Sequence, residues 1–107
     1  MDALKKQMYA NRLLHYYDSL LTDHQRRIMH YYFFDDYSLS EIAEIIEVSR
    51  NAIHDTIQKA IKKLEDYESK LNLIEKHEHR LTIIKKASEI TSNDVIITLL
   101  EDLKKVE

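Results

Sequence analysis

Arg50, Asn51, His54, Gln58, Lys59, Lys62 and Lys63 all fall outside the apolar line Ile53, Ile57, Ala60 and Leu64 of one helical run, so a helix leaves them free to meet a groove. Their chemistry is that of nucleic-acid recognition. Lys and Arg neutralise phosphates, while Arg, Asn and Gln can make paired hydrogen bonds to base edges. Asp55 interrupts the set: a carboxylate repels phosphate, although it can also accept from cytosine N4. Arg50, Lys59, Lys62 and Lys63 against Asp55 leave a local charge of plus three, which Arg26 and Arg27 could extend. Catalysis has no comparable foothold. The chain has no Cys nucleophile, no Gly-rich phosphate loop and no Ser on a nucleophile turn near a base, so a non-enzymatic protein without a cofactor is expected. His77, Glu78 and His79 are metal-ligand types, but residues one or two apart on a helix point in different directions. They read as solvent-exposed.

Two helices and a turn must hold the cationic set in place. Ser38 followed by Glu41 is a capping box, in which the hydroxyl accepts from the Glu41 amide and the carboxylate accepts from the Ser38 amide. A helix therefore starts at Leu39, with Leu39, Ile42, Ala43 and Ile46 on one face and Ala43 small enough for a close crossing. Glu47, Val48 and Ser49 form the turn, with Val48 facing inward and Ser49 capping a helix from Arg50. That helix buries Ile53, Ile57, Ala60 and Leu64 and presents the cationic set outward. Residues 38–64 thus read as a helix-turn-helix.

The remaining elements follow from the same signals. A first helix is expected over about 3–20, with Leu4, Met8, Leu13, Leu14, Tyr17 and Leu21 as its apolar residues. Thr22 and Gln25 repeat the capping box and open a second helix through Ile28, Met29, Tyr32 and Phe33, closing at Asp35 and Asp36. The fourth helix continues as a heptad through Ile53, Ile57, Ala60, Leu64, Tyr67, Leu71 and Ile74. Either the tail or a second chain must cover that stripe, and a homodimer through the extended helix and tail is expected. The tail itself reads as a helix with Leu81, Ile84 and Ala87, a cap at Ser92, and a last helix with Val95, Ile96, Leu99, Leu100 and Leu103. Asp94, Glu101 and Asp102 favour core or dimer contact over an anionic membrane surface for that last stripe. The run Tyr31, Tyr32, Phe33, Phe34 and Tyr37 could stack on single-stranded RNA bases, but packing is expected instead, half of the run in the core and half at the rim of the motif, since a small domain needs aromatic area.

Composition sets the outer limits. At 107 residues a single domain over 1–107 is expected. With neither Gly nor Pro, the usual hairpin turns and helix breakers are missing, and no alternation of β-branched residues is sustained, so the fold class is all-α. The absence of Cys fits a reducing cytoplasm. No signal-peptide core is seen near the start and no run reaches the roughly 20 apolar residues of a membrane span, so a soluble cytoplasmic protein is expected. Residues 1–64 carry nine basic and nine acidic side chains, and residues 65–107 carry seven and ten. A nucleic-acid module is ordinarily basic overall. The balance implies a polarised surface with salt-sensitive binding, or a fold reused for a protein partner.

Residues 20–64 resemble region four of bacterial sigma factors in the order of their signals, including the EIAE and VSR elements and the closing KAIKKL. A nearer likeness is to the YlxM family of small bacterial proteins. It rests on YYFFDDYS at 31–38, Leu39, EIAE at 41–44, Val48-Ser49-Arg50, and Tyr67, Glu68, Lys70 and Leu71, and spans about 13–76. The resemblance implies a sigma-like helix-turn-helix bundle acting in the signal recognition particle pathway as a regulatory or accessory factor. The sequence departs from the sigma pattern at Glu47, where Gly is common, and at His54 and Asp55, where Arg and Gln are common. A left-handed Glu47 costs about 1 kcal/mol, which a packed Val48 could offset. Two readings follow. The chain binds duplex DNA or the particle's RNA, or it docks on a protein such as the particle's GTPase without binding nucleic acid.

Overall fold

The computed structural model describes residues 2–106. Their regular structure is entirely helical: α1 (Ala3–Tyr17) with a 3₁₀ turn (Asp18–Leu20), α2 (Asp23–Phe33), α3 (Leu39–Ile46), α4 (Arg50–Leu71), α5 (Leu73–Ile90) and α6 (Asp94–Lys105). The chain divides into two compact units, residues 1–71 and 72–107.

In the first unit α1, α2 and α3 all pack on α4. The core is Leu13, Leu14, Tyr17, Ile28, Met29, Ile42, Ile53 and Leu64, with Ala10, Ala43 and Ala60 where backbones approach. All four residues expected to form the inner face of the fourth helix, Ile53, Ile57, Ala60 and Leu64, are buried. Leu4 and Met8 are exposed, contrary to expectation. At about 100° per residue they lie on the side of α1 opposite Leu13, so the register that buries Leu13 turns them to solvent. Tyr17 stacks on Tyr67 with ring centroids 6.0 Å apart and donates from its hydroxyl to Glu68 Oε1 at 2.6 Å. That contact covers the α4 stripe as far as Tyr67 from within the chain.

Side-chain oxygens set where the helices begin. Both capping boxes are present: the Gln25 amide donates to Thr22 Oγ1 and the Glu41 amide to Ser38 Oγ, each at 3.1 Å, while Gln25 and Glu41 accept from the cap amides. The hydrogen bond from the Ser38 amide, with that from its hydroxyl, holds the Glu41 carboxyl below the usual carboxylate range. The Ala52 amide donates to Ser49 Oγ at 3.0 Å, opening α4.

Left-handed residues end α3 and α4. Glu47 adopts φ 65, ψ 46, and the Val48 amide closes back on the Ala43 carbonyl at 3.1 Å, a Schellman-type stop. This closure lifts Val48 out of the core, where it is 41% exposed instead of inward-facing. Asn72, at φ 54, stops α4 at Leu71. The fourth helix therefore does not carry its heptad to Ile74, which lies on α5, and Leu71 is 44% exposed.

In the second unit α5 packs against α6, and Ile74 and Ile84 are its buried residues. Asn93, not Ser92, caps α6: its Oδ1 accepts from the Val95 and Ile96 amides at 2.9 and 3.2 Å. An amide carbonyl one residue later reaches two orphan donors. The apolar stripe of α6 is open to solvent, with Val95 69% and Leu99 61% exposed.

Glu47 offers a direct test of how the turn is made. Glu47→Gly removes the Cβ penalty of a left-handed residue, whereas Glu47→Ala keeps it. Urea unfolding should show Glu47→Gly to be the more stable of the two variants by roughly 0.5–1 kcal/mol. Equal midpoints would mean that the turn carries no such strain.

Candidate nucleic-acid interface

The reading surface is built on α4, which the Ser49 cap starts and α3 supports. Opposite the buried line of Ile53, Ile57 and Leu64 run Asn51, Asp55 and Lys62, all exposed. Lys59 flanks them on one side and Gln58 on the other. Arg50, exposed, occupies the first turn, and Lys63 is half-buried on the Lys59 flank. Asn51, Asp55, Lys59 and Lys62 therefore share an outward surface, while Arg50, about half a turn round from Lys59, is exposed at the start of the helix. His54 and Gln58 are exposed too, but they turn toward a groove and line it.

Charge on the outer surface is partly spent within the helix. Lys59 Nζ pairs with Asp55 Oδ2 at 3.0 Å, a one-turn ion pair between two largely solvated groups. Such pairs contribute only about 0.3–0.5 kcal/mol, so Lys59 is readily exchanged to another anion. Arg26 and Arg27 do not simply enlarge this patch. Arg26 Nε lies 3.4 Å from Asp18 Oδ2, which also meets His30 Nε2 at 2.7 Å, and Arg27 sits 5.5 Å from the centre of the Tyr31 ring.

The groove lies between α1, the α2–α3 connection and α4, with a volume of about 650 Å³. Tyr9, Tyr32, Phe33 and Tyr37 line it together with His54, Gln58 and Ile61. None of the five aromatic residues of the 31–37 run is buried: Tyr31 and Phe33 are half-buried and the other three exposed, which corrects the expectation that half of the run packs the core and leaves it at the rim. Tyr17 supplies the fully buried ring instead, and Tyr31 and Tyr37 stack on each other at 5.3 Å near the groove rim. Periodicity marked Tyr32 and Phe33 as apolar-face residues, but α2 ends at Phe33 and both side chains border the groove instead of filling the core. Burial, reinforced by the charges of Glu65 and Glu68, pushes the Tyr9 hydroxyl above its usual range, with Arg12 opposing. Tyr9 was not among the sequence candidates, since its position facing α4 depends on the helix crossing.

A family described as "Putative helix-turn-helix protein, YlxM / p13 like" matches residues 4–104. The chain belongs to this family. It is similar to the UPF0122 protein YlxM of Bacillus subtilis, at 40% identity over 98% of this chain and 99% of the relative. The UPF0122 protein BH2485 of Halalkalibacterium halodurans is 41% identical over 97% of this chain and 99% of its own length. The UPF0122 protein GK1195 of Geobacillus kaustophilus is 47% identical over 83% and 81% respectively. The likeness read from residues 13–76 thus extends through α5 and α6. Among the described residues no helix is long and apolar enough to cross a membrane.

The outer surface makes two linked demands on binding data. Lys62→Ala with Lys63→Ala should lower the salt dependence of nucleic-acid affinity by about two phosphate contacts. Asp55→Asn removes a repulsive charge and releases Lys59, so affinity at low salt should rise. Fluorescence anisotropy across a salt series checks both, and unchanged slopes together with unchanged affinity would remove α4 from the interface.

Proposed function

We propose that this chain is a non-enzymatic, nucleic-acid-binding regulatory protein that uses Arg50, Asn51, Lys59, Lys62 and Lys63 on α4, with His54 and Gln58 at the groove edge. The observation that carries the reading is the capped α3–turn–α4 unit with its apolar face buried and its cationic face open. A helix held this way can enter a groove as a rigid body, while its modest charge makes binding salt-sensitive. Duplex DNA and the structured RNA of the signal recognition particle are the two targets to compare. The pathway itself, and the cytoplasmic setting that goes with it, rest on the family likeness alone. Recovery of partners from lysate with and without nuclease tests the class, because nuclease-sensitive recovery is expected. Titration against a DNA duplex and the particle's RNA then ranks the targets. Absence of binding to either at low salt would leave docking on a protein component, such as the particle's GTPase, as the function.

Homodimerisation belongs to the same proposal, but its seam moves. The α4 stripe is covered by Tyr17 and the core, whereas the α6 stripe of Val95, Leu99 and Leu103 is exposed. Asp94 and Asp102 beside it disfavour an anionic lipid surface, and two copies of one amphipathic helix are self-complementary. Sedimentation at micromolar concentration should show a dimer that Leu99→Glu converts to monomer. A wild-type monomer at that concentration would refute the pairing.

A further inference from the structure

The groove beside α4 has a chemistry different from the outer face. Its volume of about 650 Å³ is that of an ordinary ligand pocket, and four aromatic rings line it. Its charged lining is Asp36 and Glu65 against Lys6 alone, so its balance is acidic where the outer face of α4 is basic. Among the described residues neither carboxylate has an ion-pair partner. Asp36 is held in place by its left-handed backbone, at φ 62. The raised Tyr9 hydroxyl reports the same negative field, with Glu65 and Glu68 both contributing beyond the effect of burial. A phosphate backbone would be repelled here.

We propose that this groove is a docking site for a basic, apolar segment of a partner protein, whose Arg or Lys side chain lies over the aromatic rings and between Asp36 and Glu65. Aromatic faces attract cations, and the attraction strengthens when water is excluded, as in a concave site. The two carboxylates of the lining add charge-assisted attraction. The molecule already uses this chemistry at the rim, where Arg27 lies against Tyr31 and Tyr31 stacks on Tyr37. Apolar residues of an amphipathic segment would cover Ile61 and Leu39, which the groove leaves partly open. The site shares His54 and Gln58 at its edge with the proposed nucleic-acid interface, but its carboxylates and rings are distinct from Lys59, Lys62 and Lys63.

The test uses the full chain and two fluorescein-labelled amphipathic peptides, identical except that Arg residues in one are Glu in the other. The Arg peptide should bind at physiological ionic strength and the Glu peptide should not. Asp36→Asn with Glu65→Gln should weaken the Arg peptide by about tenfold, and Asn keeps the left-handed conformation that position 36 needs. Lys6→Gln, an exposed change that leaves the core alone, should tighten it. Lys62→Ala with Lys63→Ala should leave peptide affinity unchanged, which separates failure of this site from failure of the nucleic-acid interface. Equal binding of both peptides, indifference to the Asp36 and Glu65 changes, or displacement of the peptide by a single-stranded oligoribonucleotide that binds the double variant more tightly would each overturn the proposal.

Discussion

Every turn in this chain is made without Gly or Pro, and that constraint governs the fold. Here α3 and α4 end where Glu47 and Asn72 accept left-handed backbone, Asp36 does the same in the α2–α3 connection, and helices begin because Asp2, Thr22, Ser38, Ser49 and Asn93 offer an oxygen to unpaired amides. A left-handed residue with a Cβ is unfavourable by about 1–2 kcal/mol, and the closing hydrogen bond at Val48 offsets part of it. Because a cap fixes each side of the α3–α4 turn, the reading helix is presented at one angle.

Legibility in the sequence followed the range of the forces involved. Ser38 with Glu41, Thr22 with Gln25, and Ser49 act within one turn of helix, so their residue types alone located three helix starts. The inner face of α4 was legible because its spacing permits only one apolar side. Heptad spacing could not show that Asn72 breaks the stripe between Leu71 and Ile74, since one backbone rotation there outweighs the pattern around it. Nor does periodicity say whether a neighbour exists: Leu4, Met8, Tyr32 and the α6 stripe are apolar in pattern yet exposed. Of the candidate site, the exposure of Arg50, Asn51, Lys59 and Lys62 was readable, but the turning of His54 and Gln58 toward the groove was not. It depends on how two helices cross.

Net charge proved a poor guide to surface chemistry. Residues 1–64 balance nine basic against nine acidic side chains, yet the two sides of α4 differ in sign. Lys59 and Lys62 face outward, while Glu65 and Asp36 border the groove. The two fields adjoin along the 22-residue α4: Lys59 and Glu65, six positions apart, lie roughly 120° from each other round the helix, while Lys62, one turn from Glu65, stands at the boundary. A neutral average is therefore compatible with attraction to anions on one side and to cations on the other.

The two units differ sharply in how much apolar surface they sequester. Residues 1–71 enclose a full core around Tyr17, whereas α5 and α6 keep only Ile74 and Ile84 below a tenth exposed. Cooperative opening free energy scales with such sequestration, so the molecule is built as one strong foldon and one weak one. Amides of α5 and α6 will exchange with solvent deuterium through partial opening, long before those at the centre of α4 are released by global unfolding. A chain arranged in this way can remodel its C-terminal helical pair around a partner while its helix-turn-helix stays intact.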